Sequence, residues 1–305
     1  MIKKRIEIIK ALLALVLLSI LWGYNWVVMK FALLDAGAFQ FGAMRTFFGA
    51  LCLMLLLVVM RRPMRIQEIP SLIALGILQT CGFTGMIIWA LVEGGAGKTA
   101  VLTYTMPFWV MILAWPLLKE RIQGIQWIAG LLMIIGLMLI FDPTHLGKDR
   151  FSMLLAVMGG VSWAIAVILA KKMHHRHPDM DLIAMTAWQM LFGSIPLVVV
   201  AFWVEAPPIH WSGMLISAVI FNAVFCNALA WLLWLYALRR LAAGVASMTS
   251  MLAPLIGVIA AWAQLGEVPS VFEGWGMILI AIALVLISVH AIRQHREIDP
   301  AMGQD

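Results

Sequence analysis

Charge is what this sequence has least of. Only 12% of its 305 residues are Asp, Glu, Lys or Arg, about half the share of an ordinary soluble domain. With 64% hydrophobic residues, a water-soluble fold of this length would expose large apolar patches. A soluble enzyme or binding module is thereby excluded, and a bilayer must form part of the solvent. Cysteine is scarce as well. Cys52, Cys81 and Cys226 lie in apolar segments without a short spacing, which argues against both a disulfide framework and a zinc site.

Catalytic signatures are missing too. No Gly-x-Ser-x-Gly or His-Glu-x-x-His run occurs, and no acidic pair falls at mid-membrane depth, so no nucleophile with its base can be picked out. The run Gly94–Gly95–Ala96–Gly97–Lys98–Thr99 imitates a phosphate-binding loop. That motif needs a glycine five residues before Gly97, where the chain has Val92. His174, His175 and His177 surround Arg176 in a basic segment and read as a solvated loop rather than a metal site. No cofactor or metal is expected, and the chain does not read as an enzyme.

What the sequence has in abundance is apolar runs about 20 residues long, the length of a membrane-crossing helix. They fall at 11–29, 38–60, 70–92, 98–118, 124–141, 152–170, 182–203, 212–236, 244–265 and 274–292. The charged start Met1–Lys10 resembles a signal peptide, but the first apolar run reaches Met29 with no small-residue cleavage site, so it reads as an uncleaved span. The net charge of +6 sits in small clusters between the spans, which is a topology signal and not a nucleic-acid footprint. With the N-terminus in the cytoplasm, the loops around Lys3–Lys10, Arg61–Arg65, Lys119–Arg121, Lys171–Arg176, Arg239–Arg240 and Arg293–Arg296 are all internal. About 16 basic residues then lie inside and four outside, with Arg45 left within a span. This predicts ten spans with both termini cytoplasmic in a bacterial-type inner membrane.

The two halves repeat. Gly97, Pro107 and Glu120 match Gly244, Pro254 and Glu267 at one constant offset. Leu21–Trp22–Gly23 pairs more weakly with Val161–Ser162–Trp163, and Ala43–Met44–Arg45 with Ala187–Trp188–Gln189. Five spans per half make the second half upside down relative to the first, a transporter architecture with a site near the midplane. The predicted fold is therefore an all-α integral membrane protein of two inverted five-helix repeats, residues 1–145 and 146–305.

Polar groups inside the bilayer are the candidate site. Asn25 either contacts a substrate or fixes helix packing. Arg45 either attracts a carboxylate, pairs with an acidic side chain such as Asp35 or Glu93, or snorkels to the outer headgroups. Pro107 and Pro254, mid-span in matched positions, would open their helices and free carbonyls near Tyr104 and Ser250, unless they merely kink the packing. Trp89, Trp163, Gln189, Asn227 and Trp231 complete the candidate substrate-binding set, with packing and interfacial belts as the alternative for the tryptophans.

The order of these residues resembles a known family. Trp22–Gly23–Tyr24–Asn25, Ala43–Met44–Arg45, Trp89–Ala90–Leu91, Pro107 followed by Leu118–Lys119–Glu120–Arg121, and Ile125–Gln126–Trp127–Ile128 are similar to the successive helices of EamA-type drug/metabolite transporters. Tyr236–Ala237–Leu238, Pro254, Gly266–Glu267 and Trp275–Gly276 repeat the pattern. The second half departs from it at Ser162–Trp163–Ala164, which lacks the Gly and Asn of the first. The resemblance implies ten helices around a central cavity and export of amino acids or other small metabolites by alternating access. Expected partners are a small-molecule substrate and membrane lipid, with the chain a monomer or homodimer. Rival readings are a flippase for a lipid-linked substrate, which would need a basic lateral opening, and a membrane-embedded transferase.

Overall fold

The computed structural model describes residues 2–119, 122–141, 149–238, 240 and 252–298. Every regular element among them is helical. In chain order these are α1 (Ile2–Ala32), α2 (Ala38–Val59), α3 (Ile69–Leu75), α4 (Phe83–Glu93), α5 (Ala96–Thr103), α6 (Met106–Leu118) and α7 (Ile125–Phe141). There follow α8 (Arg150–Arg176), α9 (Leu182–Trp203), α10 (Gly213–Ile220), α11 (Ala230–Leu238), α12 (Leu252–Leu265) and α13 (Val271–Ile298). Two π-helical stretches, Gly76–Gly82 and Phe221–Leu229, join α3 to α4 and α10 to α11 without a break.

Eight of the resulting rods are long and apolar enough to cross a membrane, and Ile125–Phe141 and Leu252–Leu265 are shorter apolar helices. The chain is a multi-pass membrane protein. The 17 residues of α7 rise only about 26 Å, slightly less than a hydrocarbon core of about 30 Å. The first part of the expected 244–265 span lies outside the described residues. Many helices are apolar all round rather than on one stripe, because their outer faces meet lipid and not water.

Helix contacts follow the small residues. α1 crosses α12 at Gly23, where an added Cβ would meet the Ala253 carbonyl oxygen at 2.6 Å. α8 crosses the α5–α6 junction at Gly160, where a Cβ would meet the Thr103 carbonyl oxygen at 3.0 Å. Only a glycine lets the backbones approach this closely. α2 packs along α9, and α7 packs along α13.

The span Ala96–Leu118 is interrupted just before Pro107. α5 ends at Thr103, and Pro107 sits in the first turn of α6, where a missing N–H costs nothing. The junction is closed locally: Thr105 Oγ1 donates to the Leu102 carbonyl at 2.6 Å and accepts from Trp109 Nε1 at 3.0 Å. The π stretches, which the periodicity of the sequence does not disclose, open their helices as well. Trp22 Nε1 donates to the Cys226 carbonyl at 3.1 Å, and Ser162 Oγ donates to the Leu78 carbonyl at 2.7 Å.

Candidate functional site

A cavity of about 870 Å³ runs into the bundle between α1, α2, α6, α8 and the two π-containing rods. One end of it is formed by Met29, Arg45 and Ile87, and the other reaches Gln126, Trp234 and the loop residues Ile122 and Gln123. Asn25 and Arg45 each lie seven residues from one end of their helix, and Tyr104 lies eight from the start of α5. At 1.5 Å per residue these three occupy one layer roughly 10–12 Å below the same face.

Of the residues singled out in the sequence, Asn25, Arg45, Tyr104, Pro107, Trp163, Gln189, Asn227 and Trp231 line the cavity together. Trp89 faces elsewhere: it is 42% exposed and sets its ring edge-on to Phe39 and Phe151. Pro254 is buried in α12 beside the α1 crossing and does not line the cavity. Ser250 lies outside the described residues. Trp22, Trp26, Phe83, Thr80, Gln79 and Cys226 also line the walls. The sequence offered no cue to choose them, since they lie on the same apolar spans as many lipid-facing neighbours.

The polar groups of this layer are unevenly satisfied. Gln189 Oε1 accepts from Thr80 Oγ1 at 2.9 Å, and Asn227 Nδ2 donates to the Asn222 carbonyl at 2.9 Å. Arg45 is different. Its Nη1 reaches only the Met29 sulfur, at 2.7 Å, and its Nε is buried with no hydrogen-bond partner. Asn25 Oδ1 is likewise buried and unpaired. Among the described residues no carboxylate forms an ion pair with Arg45, and the cavity wall contains no Asp or Glu. Burying part of a guanidinium without a counter-charge is costly, and Arg45 Nε carries that cost here.

The end of the bundle beyond Met29 is closed by charge. Lys30 Nζ donates to the carbonyls of Leu91 and Gly94 at 2.6 and 2.9 Å, at the C-terminus of α4. Glu267 accepts from the backbone N–H groups of Ala96 and Gly97 at 2.9 and 3.1 Å, at the N-terminus of α5. Each side chain complements the helix dipole it meets. The phosphate-loop look-alike therefore does hold an anion at a helix N-terminus, and that anion is the protein's own carboxylate. Lys98 bridges Asp149, at 2.6 Å, and Glu273, tying α5 to α8 and α13. At the opposite end Arg62 pairs with Asp181 at 2.8 Å, and Glu68 pairs with Arg176 and His177 at 2.8 and 2.9 Å.

The sequence model of the EamA-like transporter family matches this chain twice, over residues 9–142 and 150–289. The chain is 29% identical over 284 residues to the uncharacterized transporter YoaV of Bacillus subtilis, covering 91% of this chain and 96% of that one. It is 23% identical over 292 residues to a probable amino-acid metabolite efflux pump of Salmonella typhimurium, covering 92% and 95% of the two chains. A solved crystal structure superposes with a TM-score of 0.66 at 15% identity, covering 93% of this chain and 98% of the other, which supports the fold alone. Two successive matches that together take in nearly all of the chain make it a member of the EamA-like transporter family.

Proposed function

We propose that the protein exports small metabolites, such as amino acids or their derivatives, across the inner membrane by alternating access. The carrying observation is the central cavity, which runs from the Asn25–Arg45 layer to the Gln123–Gln126 end and stops short of the Lys30–Lys98–Glu267 cluster. Such a shape is that of a carrier open to one side and sealed on the other. Loop charge makes the Gln123 end cytoplasmic, so the conformation is inward-open with the charged cluster as the closed external gate.

The chain crosses the membrane ten times, α7 and α12 included, as inverted repeats of residues 1–145 and 146–305. The double family match supports this division. Helix crossings support it too: Gly23 lies on Ala253 of α12, and Gly160 lies at the Thr103–Met106 junction, at the offset that relates Pro107 to Pro254. On this pairing Gly160 stands for Gly23 and Ser162 for Asn25, in place of the sequence match of Trp22 with Ser162 and Gly23 with Trp163. The relative named for amino-acid metabolite efflux supports the cargo class and direction. A comparison of metabolites released by overexpressing and deleted cells tests the proposal. Selective release of amino acids by the overexpressing cells is the expected result; identical profiles over a broad panel would contradict it.

A further inference from the structure

Arg45 is the one cationic side chain in the cavity wall among the described residues, and no Asp or Glu accompanies it there. Architecture does not demand the charge. In the repeat, Arg45 of α2 corresponds to Gln189 of α9, a neutral side chain whose carbonyl is satisfied by Thr80. Asn25 corresponds to Ser162, whose hydroxyl is satisfied by Leu78. The second half thus closes both positions internally, while the first half leaves Arg45 Nε and Asn25 Oδ1 buried and unpaired. Packing alone would have served with the neutral pair.

From this asymmetry we propose that Arg45 is the anchor for a single carboxylate on the cargo, the rest of which is a flat apolar body. The proposal rests on the transport reading above. A guanidinium offers planar, bidentate donors that match a carboxylate, and here its Nε is buried without a protein partner. One cation balances one negative charge, so a second negative group on the cargo would be buried uncompensated, and a cargo bearing only a cation would be repelled. The body of the cargo meets Trp22, Trp26, Phe83, Tyr104, Trp163 and Trp231, rings that favour an aromatic or broad apolar partner. Met29 and Met190 add adaptable surface.

The test is titration calorimetry on the purified protein in detergent with three probes that share a phenylethyl body: phenylalanine, 3-phenylpropionate and phenethylamine. The first two carry the carboxylate and are expected to bind, whereas phenethylamine is not. Arg45→Gln, which copies the residue of the other half, should weaken binding of both carboxylates roughly ten- to a hundred-fold, with Arg45→Lys intermediate. The probe comparison on the unaltered protein holds even if a variant does not fold. Phenethylamine binding as tightly as 3-phenylpropionate, no binding of either carboxylate, or unchanged affinity in folded Arg45→Gln would each overturn the assignment. Carboxylate-selective binding without any flux in liposomes would remove the transport reading and leave the anchor standing. Flux that ignores Arg45 would do the reverse.

Discussion

Gly136 and Gly276 face each other across the α7–α13 contact. A Cβ built on either would point at the carbonyl oxygen of the other, at 2.9 Å from Gly276 and 2.7 Å from Gly136. The relation is reciprocal, and Ile280 and Ile140 flank it in the same mutual way. In lipid, where apolar area gives little drive for helix association, such close backbone packing holds the pair together. Replacing Gly276 with Val inserts volume that neither backbone can yield easily. It should cost about 1–3 kcal/mol and lower the melting temperature of the detergent-purified protein. An unchanged melting temperature would mean that α7 and α13 are not held at this point.

Glu267 accepts from two backbone N–H groups at the start of α5, the contact proposed above as part of the closed external gate. Glu267→Ala removes both acceptors and should cost about 1–2 kcal/mol, with Glu267→Gln milder because one acceptor oxygen remains. Both changes favour the state open on the Lys98 side. A cysteine placed at Met29, in the cavity wall just below the cluster, should then react faster with a membrane-impermeant thiol reagent from outside. Equal labelling rates with and without Glu267 would show that the contact does not control access.

Acid should loosen the same end. The hydroxyl of Ser212 and the imidazole of His210, at 2.9 Å, bond to the Asp35 carboxylate in the loop between α1 and α2 and hold its pKa below the usual carboxylate value. A depressed folded pKa adds stability above the unfolded value, near 3.9, and that contribution is lost as pH falls through the folded pKa. Melting temperature should therefore decline below about pH 4 less steeply in Asp35→Asn than in the unaltered protein. Superimposable pH profiles would contradict the contribution of this contact.

Trp163 and Trp89 separate cavity from belt. Trp163 lines the cavity and tilts against Phe83 with ring centroids 4.7 Å apart, whereas Trp89 is exposed on the far side of its helix. Trp163→Ala should weaken cargo binding several-fold, by about 0.5–1.5 kcal/mol beyond lost area. Trp89→Ala should leave binding unchanged. Equal effects from the two would refute the assigned cavity face.

Much of this arrangement was legible in the residues themselves. Hydropathy located the helices, because the bilayer enforces long apolar runs, and Asn25, Arg45 and Gln189 stood out because polar groups are rare there. Trp89 misled for a physical reason: a tryptophan near a helix end serves equally in a cavity or against lipid, and only the rotation of α4 decides. The role of Pro107 was hidden by the helix break before it, which apolar periodicity passes over without a mark. The π stretches at Gly76–Gly82 and Phe221–Leu229 were hidden likewise, since one extra residue per turn leaves composition unchanged. In the sequence the partner of Glu267 shows only as a failed phosphate loop. The rejected motif gives no expectation of an anion there, and only the fold could bring a carboxylate 170 residues away onto it.

The most direct test of the central claim is flux in proteoliposomes containing the purified, monodisperse protein. Radiolabelled amino acids, phenylalanine among them, would be followed down their gradients. Saturable movement above that of protein-free vesicles, reduced in Arg45→Gln, is the predicted result. A folded protein that moves none of a broad amino-acid panel would contradict it.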